Sequence, residues 1–167
     1  MRILAPAVLL AVLTVGCSGP VDLKKVLQIT DVTGGYHDAG IVDGRNKLTP
    51  SITLRRKKST DDAIRPLSLN VVFKRLPRAG VAVPPGSPAE ADWDEVFVQT
   101  VPFDGNQTAP LTVMPKAGFT GDPPQSRADI LKHSQFQDVR VHIFAKHSSS
   151  QWVEIGTFDI PRQVLAQ

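Results

Sequence analysis

Two stretches of the chain alternate apolar and polar residues strictly. In Leu67-Ser68-Leu69-Asn70-Val71-Val72-Phe73-Lys74, the residues Leu67, Leu69, Val71 and Phe73 share one side, and Ser68, Asn70 and Lys74 the other. In the run from Val139 to Lys146, Val139, Val141, Ile143 and Ala145 oppose Arg140, His142 and Lys146. Period two is the repeat of a strand with one buried and one wet face. Val26 to Val32, Ser51 to Arg56, Val96 to Val101, Leu111 to Val113 and Trp152 to Phe158 are apolar, β-branched or aromatic enough to supply further strands. About seven strands separated by turn residues predict an all-β fold, an antiparallel β-sandwich.

The punctuation between these runs agrees. Asp104-Gly105-Asn106 ends the run that stops at Phe103, and Gly34-Gly35 is expected to break the one that stops at Thr33. Pro77 to Ala91 holds four prolines, which exclude a central strand, and it reads as a mobile hairpin extension. One short helix is expected. Ser126-Arg127-Ala128-Asp129 resembles a capping box with Asp in place of Glu, and Ile130-Leu131-Lys132-His133 adds a turn with cations toward its end. No repeat of domain-building length is visible, so residues 23–167 are expected to form a single domain.

The N-terminus follows a different grammar. Arg2 supplies a positive start, Ile3 to Gly16 carries no charge, and the polar Cys17-Ser18-Gly19-Pro20 follows. That is the order of a secretory signal peptide, here a helical segment over residues 1–16. The run is shorter than the ~20 apolar residues a spanning helix needs and contains Pro6, which disfavours a permanent transmembrane anchor.

Leu13-Thr14-Val15-Gly16-Cys17 resembles the bacterial lipobox, with Thr14 where that pattern usually has Leu and Leu13 one place earlier. The resemblance implies cleavage between Gly16 and Cys17, a diacylglyceryl thioether on Cys17 and a further acyl chain on the freed amine. Cys17 is the only cysteine, so lipidation would remove a thiol that has no partner in an oxidising compartment. Two acyl chains hold a protein to a bilayer where one is marginal. Residues 17–22 then form a tether reaching roughly 20 Å at most. Ser18 after the cysteine implies, again by resemblance, delivery to the outer membrane facing the periplasm.

A second resemblance concerns the exported part. The succession of the Leu67 to Phe73 strand, the charged extension, Trp93 to Phe103 and Pro110-Leu111-Thr112-Val113 is similar to small immunoglobulin-like modules of bacterial envelope proteins, including the FxLYD type. It spans about half the chain and carries Phe73-Lys74-Arg75 in place of the Tyr-Asp signature. It implies an immunoglobulin-like fold.

Composition adds bounds more than answers. With 41% hydrophobic and 21% charged residues, the 167-residue chain can bury a core of its own, and 14 prolines with 12 glycines favour short strands over helices. Without Arg2 the exported part carries eighteen cations against sixteen anions, a net charge near +2, and neither this balance nor the compartment points to nucleic acid.

Candidate chemistry is sparse. There is no Gly-x-Ser-x-Gly elbow, no His-Glu-x-x-His zinc motif and no phosphate-cradling loop, so no catalytic residue and no cofactor are assigned. His142 and His147 lie five apart on one strand, hence on opposite faces. His37, Asp38 and Asp43 in a glycine-bearing loop could hold a cation weakly, yet such loops are usually just solvated, and no metal site is assigned. Arg55-Arg56-Lys57-Lys58 is the candidate surface for anionic lipid or glycan, against the reading that such cations merely guard a strand edge. Lys74, Arg75 and Arg78 form a separate basic group, and Trp93 and Trp152 read as core or rim residues. The expected function is a non-enzymatic binding or scaffold module, held to a membrane through Cys17 and engaging an envelope protein partner. Binding of an envelope lipid or glycan and an unrecognised hydrolase are the alternatives.

Overall fold

In the computed structural model, which describes residues 21–60, 64, 67–78, 80–99, 102–148 and 150–166, the two strictly alternating segments lie side by side at the centre of one sheet. They are β3 (Leu67–Arg75) and β9 (Val139–His147), paired antiparallel from Leu67↔His147 to Arg75↔Val139. On β3, Leu67, Leu69, Val71 and Phe73 are buried; on β9, Val139, Val141, Ile143 and Ala145 are buried. β4 (Ala91–Val98) adds to the free edge of β3, and β10 (Val153–Asp159) to that of β9, giving the order β10-β9-β3-β4.

The other sheet is built on a long hairpin. A single helical turn, α1 (Leu23–Val26), leads into β1 (Leu27–Val42), which pairs with β2 (Arg45–Lys58). The turn between them is Asp43-Gly44, with φ of 50° and 77°. Two successive left-handed residues match the twist of the flanking strands, and Asp-Gly is a favoured pair for such a turn. β5 (Phe103–Asp104) forms a small antiparallel hairpin with β6 (Gln107–Thr108), and the edge of β2 opposite β1 is covered by one interrupted strand made of β6, β7 (Leu111–Val113) and β8 (Phe119–Gly121). The last three each pair antiparallel with β2. α2 (Arg127–Lys132) follows, with the capping box formed: the Asp129 amide donates to the Ser126 hydroxyl, and the Ser126 amide donates to Asp129.

With residues 107–121 counted as one broken strand and the two-residue β5 set aside, the described residues form seven strands. The first, second and fifth strands form one layer, and the fourth, third, sixth and seventh form the other. This is an antiparallel β-sandwich whose fourth strand sits beside the third rather than in the opposite layer. Leu48, Ile52 and Leu54 of β2 meet the inward residues of β3 and β9 in the core.

The register separates two ends of the molecule. At one, β1 starts, β2 finishes, β3 starts, β9 finishes and β10 starts. α1 packs there against β9 and β10, and the Ser59 amide donates to the Val26 carbonyl. Because the described chain enters at this end, it is called the near end. The far end holds the Asp43-Gly44 turn, the excursion between β3 and β4, and α2.

Two expectations need correction. Gly34-Gly35 does not break a strand: both lie inside β1, and the turn falls at Asp43-Gly44. The C-terminal segment explains the glycines. It runs along β1, its Leu165 amide donating to the Tyr36 carbonyl and the Tyr36 amide to Gln163. A Cβ on Gly35 would stand 2.6 Å from Leu165 Cδ2 and 2.9 Å from the Gln163 carbonyl oxygen, so close backbone approach is what requires glycine. Likewise His37 and Asp38 sit in β1 rather than in a loop, and Asp38 is ion-paired with Arg127 at 2.9 Å. Among the described residues from Pro77 to Ala91, none before Ala91 lies in a strand, as the prolines imply. The signal segment, Gly16 and Cys17 lie outside the described residues.

Candidate functional site

The basic run on β2 obeys the alternation of its strand. Arg56 points into the sandwich and is 0% exposed, its guanidinium 5.5 Å from the centre of the Phe103 ring and its amide donating to the Thr108 hydroxyl. Burial lowers its pKa. Arg55 faces outward and lies 3.6 Å from Asp31, Lys57 is exposed and Lys58 half-buried. The four residues are therefore not one patch: period two takes Arg56 out of the surface. Lys74 and Arg75, at the end of β3, lie at the opposite end of the sandwich from Lys57 and Lys58.

The outer face of the four-stranded sheet gathers most of the remaining chemistry, in two parts. Toward the far end, Glu90 leaves the excursion and reaches over β3. It accepts from Arg140 Nη1 at 2.9 Å, and its second oxygen lies 2.8 Å from His142 Nε2. The opposite ring nitrogen of His142 lies 2.7 Å from Glu154, which also accepts from the Thr157 hydroxyl at 2.6 Å. Arg140 is held a second time by both oxygens of Asp159, at 2.6 and 3.0 Å.

The charges settle one another. Burial alone would raise the Glu90 pKa, but hydrogen bonds from Arg140 and His142, with their charges, bring it below the usual glutamate value. The Thr157 hydroxyl, then His142, lower that of Glu154, and Arg140 lowers that of Asp159. Asp159, then Glu90, raise that of Arg140. Both nitrogens of His142 face carboxylates, so in this arrangement neither is aimed at a nucleophile. The carboxylates also approach from opposite sides of the ring and cannot share one ion with it. What the network does is fasten the base of the proline-rich excursion to β9 and β10.

That excursion encloses a cleft of about 310 Å³ lined by Arg75, Pro77, Val81, Val83, Pro88 and Gln137, among others. Val81 and Val83 are 59% and 41% exposed. The excursion thus joins prolines and exposed valines around an open cleft.

Toward the near end the same face is aromatic. Phe97 of β4 is 63% exposed and Trp152, just before β10, is 40% exposed, yet their rings lie 6.2 Å apart. They belong to opposite edges of the sheet, so the indole lies back across the face, with Lys146 Nζ 5.8 Å from its centre. Trp93 behaves differently: it is half-buried, 4.9 Å from Phe119 and covered by Arg75. A sequence signal for the aromatic pair existed, since Phe97 falls on the outward phase of its strand, but pairing across four strands needs the register.

Compared with known families, curated proteins and solved structures, the chain matches none. Among the described residues no helix is long and apolar enough to cross a membrane.

Proposed function

We propose that the chain is an envelope lipoprotein that works by binding: it is anchored through acylated Cys17 and offers the proline-rich excursion at the far end to a protein partner. The observation that carries this reading is the Leu13-Thr14-Val15-Gly16-Cys17 pattern standing only a few residues ahead of a folded sandwich. The excursion supports the second half, because its apolar cleft and exposed valines are held at a fixed base by Glu90. Sandwich domains commonly use such loops for recognition.

Intact mass of the membrane-extracted protein tests the anchor. Loss of Met1 to Gly16 with a gain of fatty acyl mass supports it; a full-length, unacylated chain refutes it. A photo-crosslinking residue at Val83 tests the binding surface. One discrete, stoichiometric adduct that is lost on Val81→Asp supports the partner reading, and a smear unchanged by that substitution counts against it.

A further inference from the structure

The near end carries features that the excursion does not share and that the anchor alone does not need. The chain enters at Val21, which is 37% exposed, and four residue steps back to Cys17 span roughly 14 Å when extended. Whatever holds Cys17 is therefore close to this end. α1 lies against β9 and β10, the two strands whose junction carries Lys146 and Trp152, and Lys24 is near enough to Glu154 to lower its pKa further. Phe97 and Trp152 sit on this end of the outer face with most of the phenyl ring in solvent. Lys24, Lys57 and Lys146 make no ion pair among the described residues, and Lys24 and Lys57 are exposed.

We propose that this near end is seated on the bilayer, with Trp152 and Phe97 in the interfacial layer and Lys24, Lys57 and Lys146 facing lipid phosphates. The proposal rests on the anchor reading above. Its occupant follows from three observations: the tether leaves from here, the exposed Trp152 indole is the amphipathic kind that settles at a headgroup boundary with the bare Phe97 ring beside it, and Lys146 lies against that indole, from which its ammonium can reach toward phosphate. Asp22, paired with Lys25, Asp31, paired with Arg55, Glu95, beside Asn70 at 3.3 Å, and Glu154 limit the positive field, so the rings and the tether carry the seating and the cations orient it.

The test uses the mature protein purified from membranes and placed in phosphatidylglycerol-containing vesicles whose acyl chains are brominated. Trp93→Phe leaves Trp152 as the sole indole; should that variant not fold, the difference between unaltered protein and Trp152→Phe gives the same reading. We expect Trp152 emission to shift to the blue and be quenched severalfold, with both effects reduced by Phe97→Ser. Protein that floats with the vesicles and carries acyl mass, yet shows unquenched Trp152, overturns the seated end and leaves the anchor intact. Protein that neither floats nor carries acyl mass removes the anchor, and the seated end with it. A blue shift produced by soluble glycan fragments, without quenching by lipid, overturns the proposal in favour of a sugar-stacking face.

Discussion

At the far end of the sandwich Arg127, Arg140 and Arg162 are each held by a carboxylate within 2.9 Å; at the near end the pairs Lys25–Asp22 and Arg55–Asp31 are longer, 3.3 and 3.6 Å, and Lys24, Lys57 and Lys146 have no ion-pair partner among the described residues. Apolar side chains are exposed at both ends, Val81, Val83 and Ile41 at the far one, but the aromatic rings divide in the same way. The far end keeps Trp93 against Phe119 and beneath Arg75, whereas the near end leaves Trp152 and Phe97 in the open. Charges consumed in internal pairs fix a shape, and charges left over are available to something outside the molecule. One end thus reads as a rigid mount for the excursion, the other as a surface to be placed against an anionic, partly apolar partner.

The sharpest way to break this comparison is at β2, where the interior and the near surface are one residue apart. Arg56→Ala is expected to cost roughly 2–4 kcal/mol, because it empties a fully enclosed volume and removes the contact with Phe103. Lys57→Ala should stay within about 0.5 kcal/mol. Urea unfolding of both variants checks the pair; equal, small effects would mean that Arg56 is not enclosed.

Gly35→Val comes next. Its side chain would meet Leu165 and the Gln163 carbonyl, so the C-terminal segment must lift off β1, with an expected loss of about 1–3 kcal/mol. Limited proteolysis should then release residues from the C-terminus faster than it does in the unaltered protein.

The carboxylates around Arg140 and His142 give a pH signature. Glu90, Glu154 and Asp159 have folded pKa values below their ordinary ones, so the unfolded chain binds protons more readily than the folded one as the pH falls. Their contribution is complete above the usual carboxylate range and is lost below about pH 4. Urea midpoints at pH 7 and pH 3 should differ, and Arg140→Ala should shrink that difference by removing the partner of both Glu90 and Asp159. Apart from the near-neutral Lys57→Ala, the smallest expected effect is Ser126→Ala, which deletes the cap of α2 at about 1 kcal/mol and should leave near-end behaviour untouched.

Much of the frame was legible from residues alone. β3 and β9 follow from strict alternation, α2 from its capping box, and the Asp104-Gly105-Asn106 break from turn chemistry; each is a local signal read by a local rule. What escaped was set by distant chain. Gly34-Gly35 looks like a turn until the C-terminal segment is seen lying on it. β1 reaches 16 residues, but register shifts at Thr30/Thr33 and Asp38/Ile41 scramble its alternation. β4 begins at Ala91, ahead of the expected Val96, because an edge strand tolerates Asp92, Asp94 and Glu95. Arg56 was hidden by its company: three neighbouring cations suggest a surface, although the period already placed it with Ile52 and Leu54.

Because Cys17 is the only native cysteine and would be acylated, a single new cysteine can be labelled at either end without competition. Energy transfer from a donor at Gln151, and separately at Val83, to acceptor lipids in the vesicle surface measures which end faces the bilayer. The account predicts strong transfer from position 151 and weak transfer from position 83. Equal transfer from the two, or the reverse order, would contradict it.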